Sequence, residues 1–153
     1  MKKICALFIV AALLLCSCSS SFTVNVKEAG AAMADATGYM WLEYDADSIY
    51  NDTGISEDMY VSGFFAWLLE ASVGNCALVA VFEAKDKQGA EVIEQYLSAY
   101  LTDTQLTQKD YNADNYQLTL NAELFVEQNY VVFSIAPDNS VVVDAFNNAK
   151  ITD

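Results

Sequence analysis

The segment from Cys76 to Ala84 is an apolar run interrupted only by Glu83. A strand with one wet face alternates apolar and polar residues, so an unbroken run of this kind marks a strand in the interior of a sheet. The fold must therefore be organised around a sheet. Gly74-Asn75 supplies a turn signal just before it. Two further β-rich segments, Ala122 to Glu127 and Tyr130 to Ala136, are separated by Gln128-Asn129, a two-residue hairpin connection. Met59 to Trp67 is rich in aromatics and reads as a strand, although Leu68-Leu69 permits a helical alternative.

Helical signals fall between these strands. Asn25 can cap a helix, with Glu28 three residues on completing a capping-box pattern. Val26, Ala29, Met33, Ala36 and Met40 then recur every three or four residues, which predicts an amphipathic helix over 26–40. Asp45 to Asn51 predicts a short turn of helix, broken at Thr53-Gly54. Asp86 caps a long helix from Lys87 to about Leu106, with Val92, Ile93, Tyr96, Leu97, Tyr100 and Leu101 as its core-facing stripe. Lys109 to Gln117 is polar and reads as a loop. Pro137 ends the last strand, and Asp138 or Asn139 can cap a final helix through Ala149, against which the β-branched Val141-Val142-Val143 weighs. The order α-β-β-α-β-β-α predicts one α+β domain over residues 26–153, an antiparallel sheet of about four strands with helices packed on one face.

The N-terminal part follows a different logic. Lys2 and Lys3 precede an apolar run from Ile4 to Leu15, which has the length of a secretion-signal core and is too short to span a hydrocarbon layer of roughly 30 Å. The run ends in Leu15-Cys16-Ser17-Cys18, followed by Ser19-Ser20-Ser21. A lipobox needs an aliphatic residue three before the cysteine and a small residue just before it. Leu15 and Ser17 meet both needs for Cys18, whereas Cys16 would follow the bulky Leu15. Residues 1–17 thus read as a signal cleaved between Ser17 and Cys18, with residues 18–25 as a lipidated tether. A diacylglyceryl thioether brings two acyl chains, the number that stable anchoring requires. The expected location is the extracytoplasmic face of the cell membrane, held by lipid on Cys18. Simple cleavage to a soluble secreted protein is the competing reading, and it leaves the cysteine context unexplained.

Removing 17 of the 153 residues leaves 136, enough for one domain with a real core. Five lysines then stand against 21 acids, a net charge of −16, and the sequence contains neither Arg nor His. Nucleic acid is excluded as a partner, since phosphate contacts need Lys or Arg. A histidine-based triad, a His-ligated zinc site and an arginine clamp are excluded too. The mature thiols are Cys18 and Cys76, so no internal disulfide forms and packing must hold the fold. Solubility at a crowded surface explains the acidity.

Residues 78–86, Leu-Val-Ala-Val-Phe-Glu-Ala-Lys-Asp, resemble a known family, as do the long helix after them, Tyr111, and the stretch from Glu127-Gln128-Asn129-Tyr130-Val131-Val132-Phe133 to Asp138. The chain is similar here to domain-of-unknown-function family four-three-five-eight, small lipoproteins of mostly Gram-positive gut and soil bacteria. The similarity covers roughly the last two-thirds of the mature chain, and its motifs look structural. Two departures stand out: Leu78 where the family has a polar or acidic residue, and Gln128 where it has glycine. The resemblance implies no activity and carries over no catalytic residue.

Three chemistries deserve weighing. Glycoside hydrolysis needs two carboxyls facing each other across a cleft; the candidate pairs are Glu43 with Asp45, Glu57 with Asp58, Glu83 with Asp86, and Glu91 with Glu94. In so acidic a chain, close pairs arise by chance. Asp110-Tyr111-Asn112-Ala113-Asp114-Asn115 matches the first ligand positions of a calcium loop, but Asn115 replaces its glycine and Asn121 its final bidentate acid. Among the aromatics, Tyr96 and Tyr100 read as core, whereas Tyr39, Trp41, Tyr44 and Tyr50 are candidates for an exposed patch or for packing over the sheet edge. Cys76 reads as a small buried hydrophobe. The expectation is a non-enzymatic binding or interaction module without a cofactor, partnered by the membrane and by an envelope protein or glycan. A carboxylate-based cell-wall or glycan hydrolase and a weak calcium-binding surface domain are the alternatives.

Overall fold

The run that predicted an interior strand lies at the centre of a sheet. The computed structural model describes residues 21–69 and 76–152; the expected signal with Ser17 and Cys18, and the expected turn at Gly74-Asn75, lie outside them. In chain order the elements are β1 (Phe22–Thr23), α1 (Val26–Ala36), β2 (Trp41–Glu43), α2 (Ala46–Thr53), a 3-10 turn (Glu57–Met59), β3 (Tyr60–Leu68), β4 (Leu78–Ala84), α3 (Lys87–Tyr111), α4 (Ala113–Leu120), β5 (Glu123–Glu127), β6 (Tyr130–Ile135), α5 (Asn139–Asn148) and β7 (Ile151–Thr152). The main sheet has the order β2-β3-β4-β6-β5, and β1 pairs with β7 in a separate ribbon. All pairings are antiparallel.

The protein is a single α+β domain as expected, with differences in detail. The main sheet has five strands rather than about four: Trp41–Glu43, three residues between the first two helices with no strand signal of their own, pair with β3 as β2. The first helix stops at Ala36 instead of Met40: Thr37 caps it, and Gly38 takes a φ of 74° that ends helical propagation. Helices also cover both faces rather than one. Val79 and Val81 of β4 pack with Phe64, Val132, and the apolar stripes of α1 and α5. Leu78, Ala80 and Phe82 point the other way, against Phe65, Phe133, Ile49 of α2 and Ile93 and Leu97 of α3. A strand apolar on both sides requires cover on both sides, which is what its unbroken run encodes.

Caps set the helix starts. Asn25 accepts from the backbone N–H of Glu28, Asp45 from Ser48 and Asp86 from Gly89. The hydrogen bonds of Ser48 hold the Asp45 carboxyl below its ordinary range, and those of Ser140 do the same for Asp138, which caps α5. Asn139 does something different. Its buried amide accepts from the Ser134 hydroxyl at 2.7 Å and the Ala136 N–H at 3.1 Å, and donates to the carbonyl of Asn121 at 2.7 Å. It thus ties the end of β6 to the approach to β5. Gly54 ends α2 in the left-handed region, φ 78°, as the Thr53-Gly54 break required.

The stretch 109–117 is helical, not a loop. α3 continues to Tyr111, and Asn112 both ends it, donating to the carbonyl of Gln108 at 2.8 Å, and caps α4 by accepting from Asp114 and Asn115 at 3.0 Å. The inward residues of this corner are polar: Gln108, Asn115 and Thr119 are buried, and Asn115 donates to Gln108 at 2.9 Å. An apolar period cannot reveal a helix whose buried side is amide and hydroxyl. At the other end of the domain, Phe22 and Val24 lie within the stretch expected as tether but are buried. Phe22 stacks on Tyr130 at 5.6 Å, and the Val24 N–H donates to the Tyr130 hydroxyl at 3.1 Å.

Candidate functional site

The aromatic residues around the end of the first helix do not gather into one patch. Trp41 packs edge-on against Phe64 and donates to Asp35 at 2.7 Å, whereas Tyr44 lies on the opposite face against Phe65 and Trp67. Tyr39 is half-buried and Tyr50 exposed. Packing over the sheet edge accounts for Trp41 and Tyr44. On α3 the core-facing set is narrower than expected: Ala90, Ile93 and Leu97 are buried, while Val92 and Tyr96 are 39% and 38% exposed.

That outward turn of Tyr96 opens a cleft of about 350 Å³ between α2, the end of β3 and the middle of α3. Asp52 and Thr53 line it from α2, Trp67 from β3, Cys76 from the approach to β4, and Tyr96, Tyr100 and Asp103 from α3. Thr104, Thr107 and Gln108 extend the α3 wall with polar groups. Among the described residues, none that is basic lines this cleft. Burial pushes the Tyr100 hydroxyl well up, opposed by a hydrogen bond from Thr104 and reinforced by the nearby Asp52 charge. Burial also raises Tyr44, again with a contribution from Asp52. The Cys76 thiol is raised by burial, its Sγ lies 3.8 Å from the Asn115 carbonyl, and it is therefore a poor nucleophile. The Trp67 indole N–H is buried and finds no acceptor among the described residues, an arrangement that costs about 1–3 kcal/mol.

A second concavity, about 470 Å³, lies on the other face between the outermost strand β5 and helix α5. None of the four carboxylate pairs suggested by the sequence enters either one. Glu43 is ion-paired with Lys27, Asp45 and Asp86 cap helices, and Asp58 accepts from Ser56. The calcium-loop reading meets a similar obstacle. Its fourth to eleventh positions are α4, and the Asn112 side chain is taken up by capping. Among the described residues no group of three or more acids or cysteines is placed to hold a metal ion. No helix among them is long and apolar enough to cross a membrane.

A family model described as Domain of unknown function (DUF4358) matches residues 34–136. The chain belongs to this family. The matched DUF4358 segment runs from the last turns of α1 through β6, so it contains the whole main sheet and every residue of the α2–α3 cleft. It leaves out β1, α5 and β7, and with them one wall of the second groove. Neither a curated protein nor a solved structure matches the chain. The residues that sequence reading overlooked are Asp52, Trp67 and Asp103. One signal was available: Tyr96, Tyr100, Asp103 and Thr107 recur at helical spacing, so the aromatic stripe of α3 continues into acid and hydroxyl rather than into apolar residues.

Proposed function

We propose that this protein is a lipid-anchored extracytoplasmic lipoprotein whose domain is a non-enzymatic binding module, with the α2–α3 cleft as its ligand site. The anchor reading rests on Leu15-Cys16-Ser17-Cys18. Because Phe22 is already packed, only four residue steps separate it from Cys18. At roughly 3.5 Å per residue that tether reaches about 14 Å, so the domain sits close to the bilayer.

The observation that carries the binding reading is the composition of the cleft wall. Trp67, Tyr96 and Tyr100 offer ring faces, and Asp52 and Asp103 offer two negative charges with no basic residue among the described ones lining the cleft to neutralise them. Ring faces beside carboxylates favour an organic cation, since the ring quadrupole and the carboxylate act in the same direction. The hydroxyls and amide further along α3 suit a ligand that also carries hydroxyls. The buried, weakly acidic thiol and tyrosines supply no activated nucleophile, which favours binding over turnover.

Two measurements test the proposal. Palmitate labelling of the full chain should be lost in Cys18→Ser and kept in Cys16→Ser; the opposite pattern overturns the anchor assignment. In a Trp41→Phe background Trp67 is the sole indole of the domain. Titration with tetramethylammonium or glucosamine should then change its fluorescence, and Asp103→Asn should weaken the response. An unchanged spectrum with both probes rejects the site. Release of sugar from a glycan, abolished by Asp52→Asn or Asp103→Asn, would instead establish the carboxylate hydrolase. Coincident melts with calcium and with chelator dispose of the calcium-binding alternative.

A further inference from the structure

The groove beside β5 goes beyond that reading and is independent of the cleft. Among the described residues β5 is an outermost strand, hydrogen-bonded to β6 alone, so one row of its backbone donors and acceptors has no described strand beside it. Its residues alternate between the two faces of the sheet. Leu124 and Val126 pack toward α3, whereas Glu123, Phe125 and Glu127 face the groove that α5 walls with Val143 and Asp144. The groove thus has a half-buried ring at its centre and carboxylates before, after and above it. Lys150 engages Glu127 at one end and is held there over Phe22 and Phe146, at 4.8 and 5.1 Å from the ring centroids.

We infer that this edge is a docking site for an extended, basic peptide segment of a partner protein, which adds to the sheet as a sixth strand. Backbone ladder bonds to β5 supply affinity without regard to sequence, and alternate side chains read the groove. A residue placed opposite Phe125 meets ring and Val143 and must be apolar. The residue two positions to the Glu123 side meets the carboxylates of Glu123 and Asp144 and must be Lys or Arg, whereas the Glu127 end, already engaged by Lys150, leaves the choice open. Cross-strand pairs of opposite charge stabilise and like charges destabilise. A second copy of this chain is therefore the wrong occupant: pairing β5 with itself sets Glu123 and Glu127 against the same acids, in a domain already far negative. The acids also guard the edge against indiscriminate pairing, so one feature serves both solubility and selection.

The test uses the full chain in detergent and a labelled decapeptide alternating Lys with Ile or Val. Fluorescence anisotropy should report saturable binding, and hydrogen exchange should show new protection confined to residues 123–127. The double variant Glu123→Lys/Asp144→Lys, at exposed positions, should weaken binding by about tenfold or more. Reversing two distant exposed acids, Glu91→Lys/Asp110→Lys, should leave it within about twofold, which separates docking from general attraction to an acidic protein. A peptide of equal charge with prolines at alternate positions cannot donate to the ladder and should bind far more weakly. Equal binding of the proline peptide, equal loss in both charge variants, or protection, in the chain without peptide, of the β5 amides that face away from β6 would each overturn the inference, the last by showing self-pairing.

Discussion

The two faces of the sheet are built from the same strands and are finished differently. On the α1–α5 face the contacts are dry and close: Ala29, Gly30, Met33 and Ala34 let α1 approach β3 so nearly that a methyl on Gly30 would lie 2.2 Å from Phe64. On the α2–α3 face large rings and polar groups stand where small residues would have closed the gap. Trp67 keeps an indole N–H without an acceptor among the described residues, Tyr44, Tyr60 and Tyr100 are all held protonated by burial, and a cleft opens beside them. Tight packing beneath α1 secures one side, whose groove lies out at the β5 edge beside α5, and the other side gives up packing between α2 and α3 to a cleft.

Phe64 and Trp67 lie on one strand, turned to opposite faces, so truncating them measures the contrast directly. Phe64→Ala should destabilise by about 3–5 kcal/mol. Trp67→Phe should cost less than about 1 kcal/mol, since the lost ring area is offset by removal of an unsatisfied buried donor. Denaturant midpoints at unchanged slope give both values. A cost of several kcal/mol for Trp67→Phe would mean that the indole N–H is satisfied and that its face is closed as well.

Gly30→Ala comes next in size. The added methyl meets the Cβ and Cγ of Phe64 rather than the far end of its ring, so the strand itself must yield. A cost of about 1–3 kcal/mol is expected from overpacking, even though alanine favours a helix by about 1 kcal/mol over glycine. A neutral result in a thermal melt would show that α1 can slide and that its face is less closed than its geometry suggests.

The alkaline limb of stability isolates the open face. Each raised tyrosine keeps a proton in the folded state that the unfolded chain has already released above its ordinary value of 10.0. The unfolded state then binds fewer protons, so stability is fully present below about pH 10 and falls as pH rises toward the folded values. Tyr100→Phe should flatten that fall without altering stability near neutrality by more than about 1 kcal/mol. Urea unfolding on either side of pH 10 checks it; an unchanged slope would remove Tyr100 from the buried set.

What could be read from the sequence divides between local and long-range rules. The sheet and the start of α3 were legible because their rules are local: the interior run of β4, the hairpin at Gln128-Asn129, and the cap at Asp86 each act through residues within a few positions of one another. The open face was not, because its residues come from separate segments and follow no apolar period. Gln108, Asn115 and Thr119 bury polar groups against each other, so α4 passed for a loop. Asp52, Trp67 and Asp103 meet only after the chain has crossed the sheet. β2 is three residues long, too short for alternation to show. The anchor proposed at Cys18 rests on local sequence too, Leu15 to Cys18, and on nothing in the fold.

The smallest expected effect concerns the β5–β6 turn, which serves both faces equally. Gln128 has a φ of 57°, whereas Asn129 is not among the positive-φ residues, the pattern of a turn that favours glycine at its first central position. Asn129 fastens the turn to β4 through its side chain, which donates to the Ala84 carbonyl at 2.9 Å. Gln128→Gly relieves a left-handed conformation worth about 1–2 kcal/mol in a residue with a Cβ, and loses part of that to the greater freedom of glycine in the unfolded chain. A net gain of up to about 1 kcal/mol follows. Because the turn carries strands that present side chains to both helical layers, the gain should raise the melting temperature while leaving the tyrosine titration and the Trp67 fluorescence response unchanged. A variant that stabilised the protein but altered either readout would show that the turn is coupled to the open face, and that the two faces are not independently set.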